Sequence, residues 1–266
     1  MIECTIRTVL IDAHVHLYSS YSLATLVCSA LGNLTVPSPV GEVTKILMLV
    51  DRAGQNSREL LLNTSLGAEM SVQYHDGALS AEILTPQGTL LVVFGCQCVS
   101  REKVEVLGLG LLSRPPEGIS AEDQVRFIQD HGGVPSLPWS PGKWIGKRGK
   151  VVHAILDTFG PTGVTVSDIA LRSRWGPPSF LLIYAKSSGF PVLFGSDPLP
   201  LPAEEQLVGR FGMKLQGETC GGNLVAWILA ELKVPARQLP EIGTRNPPGM
   251  ALRRFLASNG QRRSAL

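Results

Sequence analysis

The stretch RTVLIDAHVHLY, residues 7–18, begins as an apolar run and ends in two histidines. Such a run is typical of a buried β-strand, in which alternate residues face the same side, so His14 and His16 share a face. Two imidazoles on one face can both reach a single metal ion. The alternative is a buried pair held only by hydrogen bonds, and these residues alone leave both interpretations open.

Beyond this strand, the chain alternates between strand-like and helix-like segments. Strands are predicted at 42–52, 134–139, 163–170 and 190–197, with three more within 81–110. Helices are predicted at 22–33, 56–63, 120–133, 148–160, 177–189, 203–210, 221–233 and 247–258. This alternation favours an α/β fold, a distorted (β/α)7 barrel of the TIM type, with an open doubly wound sheet as the alternative. Since no linker or repeat interrupts the pattern, residues 1–266 are expected to form a single domain.

Composition argues against several classes of protein. The 266 residues are 44% hydrophobic and 17% charged, which is typical of a folded globular chain. A net charge of +2 gives no signature of nucleic-acid or membrane binding. The five cysteines are irregularly spaced and include no C-x-x-C pair, so reduced thiols in a cytoplasmic protein are expected. No signal peptide and no membrane-spanning helix are predicted.

Two further segments carry polar residues at strand positions. In LFGSDPLPLP, residues 193–202, Asp197 follows an apolar strand and would complete a set of two histidines and one carboxylate. The alternative for Asp197 is an Asx-turn or a helix cap before the following proline. Gln97 and Glu105 lie on neighbouring predicted strands in otherwise apolar runs, where the pattern alone favours an outward-facing Glu105.

The segment PWSPGKWIGKRGK, residues 138–150, is rich in glycine, tryptophan and basic residues. Cations and aromatic rings suit a phosphate or carboxylate group, and glycines let the backbone approach a ligand closely. A solvated turn with the tryptophans packed beneath it is the alternative. The predicted substrate-binding residues are Trp139, Lys143, Trp144, Lys147 and Arg148.

Four segments together resemble the PHP family, the polymerase and histidinol phosphatase group of metal-dependent phosphoesterases. IDAHVHLY resembles the opening H-x-H motif of that family, and GFPVLFGSDPLPL, residues 189–201, resembles its late G-S-D-x-H segment. The two segments between them are VVFGCQCVSREKVEVLGLG, residues 92–110, and DHGGVPSLPWSPGKW, residues 130–144. The resemblance implies a distorted seven-stranded barrel with up to three metal ions at the strand ends, where they activate water to cleave phosphoesters.

The resemblance assigns candidate roles residue by residue. His14 and His16 match the first two metal ligands of the family, and Asp197 matches its late aspartate. Gln97 stands where the family has a glutamate ligand, and a neutral amide is a poorer ligand than a carboxylate. Glu105 falls near a position that the family usually fills with histidine.

Two histidines of the family pattern are replaced in this chain. One gives way to Pro138 or Trp139, and the other is lost because Pro198 and Leu199 follow the aspartate. A cluster of three ions is therefore not expected. The resemblance implies a single divalent ion, Zn, Mn or Fe, or no metal at all.

As a function, the resemblance implies a metal-dependent, phosphoesterase-like hydrolase acting on a small anionic or phosphorylated molecule. The implied metal ligands are His14, His16, Asp197 and Gln97, and the implied catalytic groups are Asp197 and Glu105. The basic residues of 138–150 would neutralise the charge of the substrate. The alternative is a PHP-like barrel that has lost catalysis and binds an anionic ligand or a partner. An unrelated α/β protein with accidental motifs is the third interpretation.

Overall fold

The structure, a computed structural model, describes residues 4–64, 69–140 and 142–264. The strands are β1 Thr5–Val15, β2 Glu42–Asp51, β3 Ser71–His75, β4 Ser80–Thr85, β5 Gly88–Val99, β6 Glu105–Leu109, β7 Val134–Trp139, β8 Thr165–Ile169, β9 Val192–Gly195, β10 Phe211–Thr219 and β11 Glu241–Gly243. The helices are α1 Leu23–Asn33, α2 Ser57–Asn63, α3 Ala121–Asp130, α4 Lys147–Gly163, α5 Phe180–Ser187, α6 Leu224–Glu231 and α7 Pro248–Ser264.

The strands form one curled sheet in the order β11-β10-β1-β2-β5-β6-β7-β8-β9, with the β3–β4 hairpin added beside β5. Strands β1, β2, β5, β7, β8 and β9 run parallel, and β6 is antiparallel to its two neighbours. The sheet curls so that β9, at one end of this path, approaches β1, since the Asp197 amide after β9 donates to the His14 carbonyl of β1 at 2.9 Å. The result is a mixed α/β fold with a nearly closed, barrel-shaped sheet.

The predicted alternation of strands and helices is only partly realised. No helix separates β5 from β6, which explains why β6 runs antiparallel. The helix predicted at 203–210 is wrong, because Glu204–Leu207 forms only a short 3-10 turn and β10 follows it. Strand β10 pairs with β1 from Thr5↔Thr219 to Ile11↔Met213. Its sequence, FGMKLQGET, has weak strand propensity, so this distant pairing rather than local preference places it.

Strand β1 is buried on both faces. Val9 and Ile11 lie in an apolar cluster with side chains of β2, β5, β6 and β9. Leu10 points the other way and lies in a cluster with residues of α1. Helix α1 begins after Ser22, whose side chain accepts a hydrogen bond from the Thr25 amide. Burial on both faces explains the continuous apolar run before the two histidines.

Gly195, at the end of β9, lies directly against β1. A Cβ added there would lie 2.5 Å from the His14 amide nitrogen and 2.6 Å from the His14 Cβ. We expect Gly195→Ala to lower the free energy of unfolding by about 1–3 kcal/mol, because β9 must move away from β1. Urea unfolding measures this loss.

Gly32→Ala is the matched control for that substitution. Gly32 lies in α1 with no atom within 4 Å of an added Cβ. Alanine is the better helix former, so this variant should gain up to about 1 kcal/mol. Equal effects at the two positions would contradict the close approach of β9 to β1.

The cysteines differ from the sequence expectation. Cys4 and Cys220 form a disulfide, so the expectation that all thiols are reduced is wrong for this pair. The register of β1 with β10 places them together, since Thr5 pairs with Thr219 and the cysteines are the next residues outward. Cys28, Cys96 and Cys98 are free. Among the described helices, none combines the length and the apolar character needed to cross a membrane.

Candidate metal centre

Four candidate residues meet at one rim of the barrel-shaped sheet. His14 lies near the carboxyl end of β1, and His16 comes just after that strand. Gln97 lies near the carboxyl end of β5, and Asp197 follows β9 by two residues. Because β1, β5 and β9 are parallel, their carboxyl ends share a rim, and the side chains converge there. All four residues are at most 6% exposed.

Their ligand atoms lie close together. The Nε2 atom of His14 is 3.1 Å from Nε2 of His16 and 3.1 Å from Oε1 of Gln97. Both Nε2 atoms lie 3.4 Å from Oδ1 of Asp197. A tetrahedral ion with ligands at about 2.0–2.2 Å separates those ligands by about 3.3–3.6 Å. The observed spacing is therefore close to that of a tetrahedral site for one small cation.

The four ligand atoms carry too few hydrogens for hydrogen bonds among them to explain why they lie so close together. His16 Nδ1 lies 2.7 Å from the Val50 carbonyl, so it donates there, and the neutral ring leaves a lone pair on Nε2. Gln97 Oε1 and Asp197 Oδ1 are acceptors. Only His14 Nε2 can carry a hydrogen, and Nδ1 of that ring is buried without a partner among the described residues.

Four electron-rich atoms thus share at most one hydrogen, an arrangement that a bound cation would satisfy. The contact of His16 with the Val50 carbonyl is of the kind that metal-binding histidines use to fix the ring. The donor set of two imidazole nitrogens, one carboxylate and one amide oxygen fits a divalent transition metal such as Zn²⁺.

Burial sets the protonation state of the cluster. It lowers the pKa of His14 to about 4 and also lowers the pKa of His16. Burial alone would raise the pKa of Asp197, but the neighbouring imidazoles hold it well below its usual range. Near pH 7 the imidazoles are therefore neutral and the carboxylate is ionised, which is the form in which each can bind a metal.

The lowered pKa of His14 makes stability depend on pH. A histidine in the unfolded chain has a pKa of about 6.5, so between about pH 6.5 and 4 the unfolded state binds the extra proton. Stability of the metal-free protein should fall across this window as the pH falls. His14→Asn should make the loss about 2 kcal/mol smaller between pH 7.5 and 4.5.

Urea unfolding of chelator-treated protein at several pH values measures this difference. His131→Asn, at an exposed position, is the control and should keep the wild-type slope. Parallel profiles for wild type and His14→Asn would show that His14 does not titrate in this window.

Asp12 positions the cluster rather than joining it. Its Oδ1 accepts from the Ser196 amide at 2.8 Å and from the His14 amide at 3.3 Å, and its Oδ2 accepts from the Gly209 amide at 2.8 Å. Burial raises the pKa of Asp12 to about 6, and these backbone donors oppose the rise. The carboxylate thus ties β1 to the loop that carries Asp197.

Helix α7 fixes the other side of that loop. Asp197 has a φ of +45°, in the left-handed region that aspartate tolerates better than most residues. Its carbonyl accepts from Arg254 Nη2 at 2.9 Å, and the same guanidinium pairs with Glu204 at 2.6 Å. Glu204 in turn accepts from the Leu199 amide at 3.0 Å. Arg254 and Glu204, both buried, therefore hold the backbone around Asp197.

Glu105 lies outside the group of ligand atoms that could share one ion. It starts β6 and forms an ion pair with Lys143. Burial alone would raise the pKa of Glu105, but the Lys143 ammonium holds it below its usual value. The two residues form a largely buried pair of opposite charges beside the cluster.

The other residues predicted to bind substrate lie in different environments. Trp139 and Trp144 belong to an apolar core cluster. Lys147 is exposed at the start of α4. Arg148 donates to the Gly142 carbonyl at 2.8 Å and lines a cavity of about 270 Å³ that Lys143 and Trp144 also line. Substrate-binding roles for these residues stay predictions.

Sequence reasoning missed the larger cavity, of about 510 Å³, which Gln97 also lines. Its basic residues are Arg52, Arg101, Lys103 and Arg114. Arg52 directly follows β2, so its place at the end of a strand was a usable signal. Arg114 and Arg254 lie in a loop and a late helix, and no local pattern marks them.

The sequence matches no family model and no curated protein. Among solved structures, the chain is similar to PsfC from Pseudomonas syringae PB-5123, with 14% identity, a TM-score of 0.54, and coverage of 98% of this chain and 99% of that chain. Because identity is low, this similarity shows a shared fold alone.

Two solved endonuclease structures are similar to part of this chain. An endonuclease Q complex with a 27-mer duplex carrying an abasic lesion is 12% identical, with a TM-score of 0.43 and coverage of 80% of this chain and 53% of that chain. PfuEndoQ from Pyrococcus furiosus is 12% identical, with a TM-score of 0.44 and coverage of 80% and 52%. These scores carry no conclusion about this chain.

Proposed function

We propose that this protein is a metal-dependent hydrolase of the PHP type that uses a single divalent ion to cleave a phosphoester of a small anionic molecule. The convergence of His14, His16 and Asp197, with the Gln97 amide beside them, carries this proposal. The path β1-β2-β5-β6-β7-β8-β9 supports a seven-stranded barrel of the PHP type, with β10 and β11 added at its edge.

The residues of the cluster would have two roles. Three of them would hold the ion, and the fourth would face the approaching substrate. His14, His16 and Asp197 would hold the ion, which, when bound, supplies an activated water for attack on phosphorus. Gln97 is the member that also lines the larger cavity, so the substrate would approach from its side. As a neutral amide, Gln97 adds no charge that would repel an anionic substrate.

Two observations favour a second candidate function, a barrel that binds an anionic ligand without catalysis. Glu105 is already paired with Lys143. His14, His16 and Asp197 are at most 4% exposed. A substrate would therefore need residues around the cluster to move before it could contact His14, His16 or Asp197.

Assays of the metal-loaded protein distinguish the two candidate functions. Chelator-treated protein is reloaded with Zn²⁺, Mn²⁺ or Fe²⁺ and assayed with p-nitrophenyl phosphate and bis-p-nitrophenyl phosphate. Hydrolysis that requires metal and falls at least about 100-fold in His16→Asn supports the hydrolase. Stoichiometric metal with no turnover of either ester supports the binding function instead. Turnover that survives His16→Asn would exclude this site as its origin.

A further inference from the structure

The cavity of about 510 Å³ beside Gln97 has a surplus of positive charge. Its volume lies in the range of small-molecule sites. Its charged lining residues are Arg52, Arg101, Lys103 and Arg114 on the basic side and Glu105 and Glu117 on the acidic side. Since Glu105 pairs with Lys143, less negative charge remains to balance the basic residues. Such a lining favours an anion.

One of these cations is held rigidly. Arg114 donates through Nη1 to the Asp51 carbonyl at 2.9 Å and through Nη2 to the Gln97 carbonyl at 2.6 Å. These carbonyls lie near the carboxyl ends of β2 and β5, so the guanidinium is fixed between two strands of the barrel. A cation held in this way loses little side-chain freedom when an anion binds.

Two polar atoms in residues that line the cavity lack partners. Nε of Arg52 and Oε1 of Gln124 are buried, and neither has a hydrogen-bond partner within the described ranges. Gln124 lies on α3 and is only 1% exposed. An unpaired buried donor and an unpaired buried acceptor both cost free energy, and a ligand that supplies the complementary groups would remove that cost.

We propose that this cavity binds a small phosphorylated molecule that carries a hydroxyl group, such as a polyol or sugar phosphate. Arg52 and Arg114 face the phosphate, and the hydroxyl donates to Gln124. This inference extends the proposed function, because it names the class of substrate. It also places the anion site at Arg52 and Arg114 rather than in segment 138–150.

Calorimetry on the chelator-treated full chain tests the proposal without a metal. The probes are glycerol 3-phosphate and propyl phosphate, which differ in their hydroxyl groups. Arg52→Met should weaken glycerol 3-phosphate binding at least about 10-fold, because charge-assisted hydrogen bonds are lost. Lys186→Met removes one exposed charge outside this cavity and should bind like wild type. Arg52→Lys keeps the charge but lacks Nε, so it should fall between the two.

Gln124→Leu tests the hydroxyl contact. Wild type should prefer glycerol 3-phosphate over propyl phosphate by at least about 5-fold, and this variant should lose the preference. Far-UV circular dichroism checks that each variant is folded. If Arg52→Met alone is unfolded, Arg52→Lys and Gln124→Leu still decide the matter.

The outcomes separate this inference from the proposed function. No binding by metal-free wild type, or equal losses in Arg52→Met and Lys186→Met, would overturn the cavity assignment whether or not the metal-loaded protein hydrolyses esters. Conversely, binding with the expected variant pattern but no turnover with any metal would support the cavity and contradict the hydrolase.

Discussion

His16→Asn is expected to weaken metal binding at least about 100-fold, the largest change in affinity that we expect from a single substitution. His16 offers its Nε2 lone pair to the cluster because Nδ1 donates to the Val50 carbonyl. Asparagine is too short to keep both contacts. Without this imidazole, the site retains one histidine, one carboxylate and a neutral amide, which is a weaker set for a transition metal.

Competition with a chromophoric chelator measures the affinity, and metal analysis of protein purified without chelator gives the stoichiometry. Wild type should hold close to one equivalent of metal and the variant a small fraction of that. His131→Asn, exposed at the end of α3, controls for metal bound at the surface and should match wild type. Equal metal content in wild type and His16→Asn would show that the cluster is not the metal site.

Arg254→Met should lower the free energy of unfolding by about 3–5 kcal/mol, because it leaves the buried Glu204 charge without its partner. It also removes the hydrogen bond to the Asp197 carbonyl. Arg253→Met changes the exposed neighbour on the same helix and should shift stability by less than about 0.5 kcal/mol. Urea unfolding of the three proteins compares these values.

A double variant distinguishes a loss of stability from a loss of the contact that positions Asp197. Glu204→Gln in the Arg254→Met background removes the uncompensated charge and should recover much of the stability. It cannot restore the contact with the Asp197 carbonyl, so metal affinity should stay below that of wild type. If affinity returns together with stability, Arg254 does not position Asp197.

The sequence predicted the core of the candidate site because its signals are local. Strand alternation puts His14 and His16 on one face, and an apolar strand before Asp197 marks another strand end. The carboxyl ends of parallel strands lie at one rim of a barrel, so residues at these ends are expected to meet even when the order of the strands is unknown. The same logic located Gln97 in a strand, but only the resemblance to the PHP family grouped it with His14, whose Nε2 lies 3.1 Å from its Oε1.

What the sequence left open depends on long-range contacts. Strand β10 forms because β1 offers it an edge, and no local pattern announces that pairing. Lys143 was predicted to bind substrate, yet it pairs with Glu105 from another part of the chain. Arg52 and Gln124 become neighbours of one cavity only when β2 and α3 pack around the same barrel.

The bond between Cys4 and Cys220 closes the intervening chain into a covalent ring. His14, His16, Gln97 and Asp197 all lie on that ring, whereas Arg254 belongs to the segment beyond it. The ring restricts how far the strands that carry the ligands can separate. Nothing covalent restrains α7 in the same way, and packing, hydrogen bonds and the ion pair with Glu204 keep Arg254 against the Asp197 carbonyl. Detachment of α7 would therefore remove the Arg254 contact with the Asp197 carbonyl while the ring stayed closed.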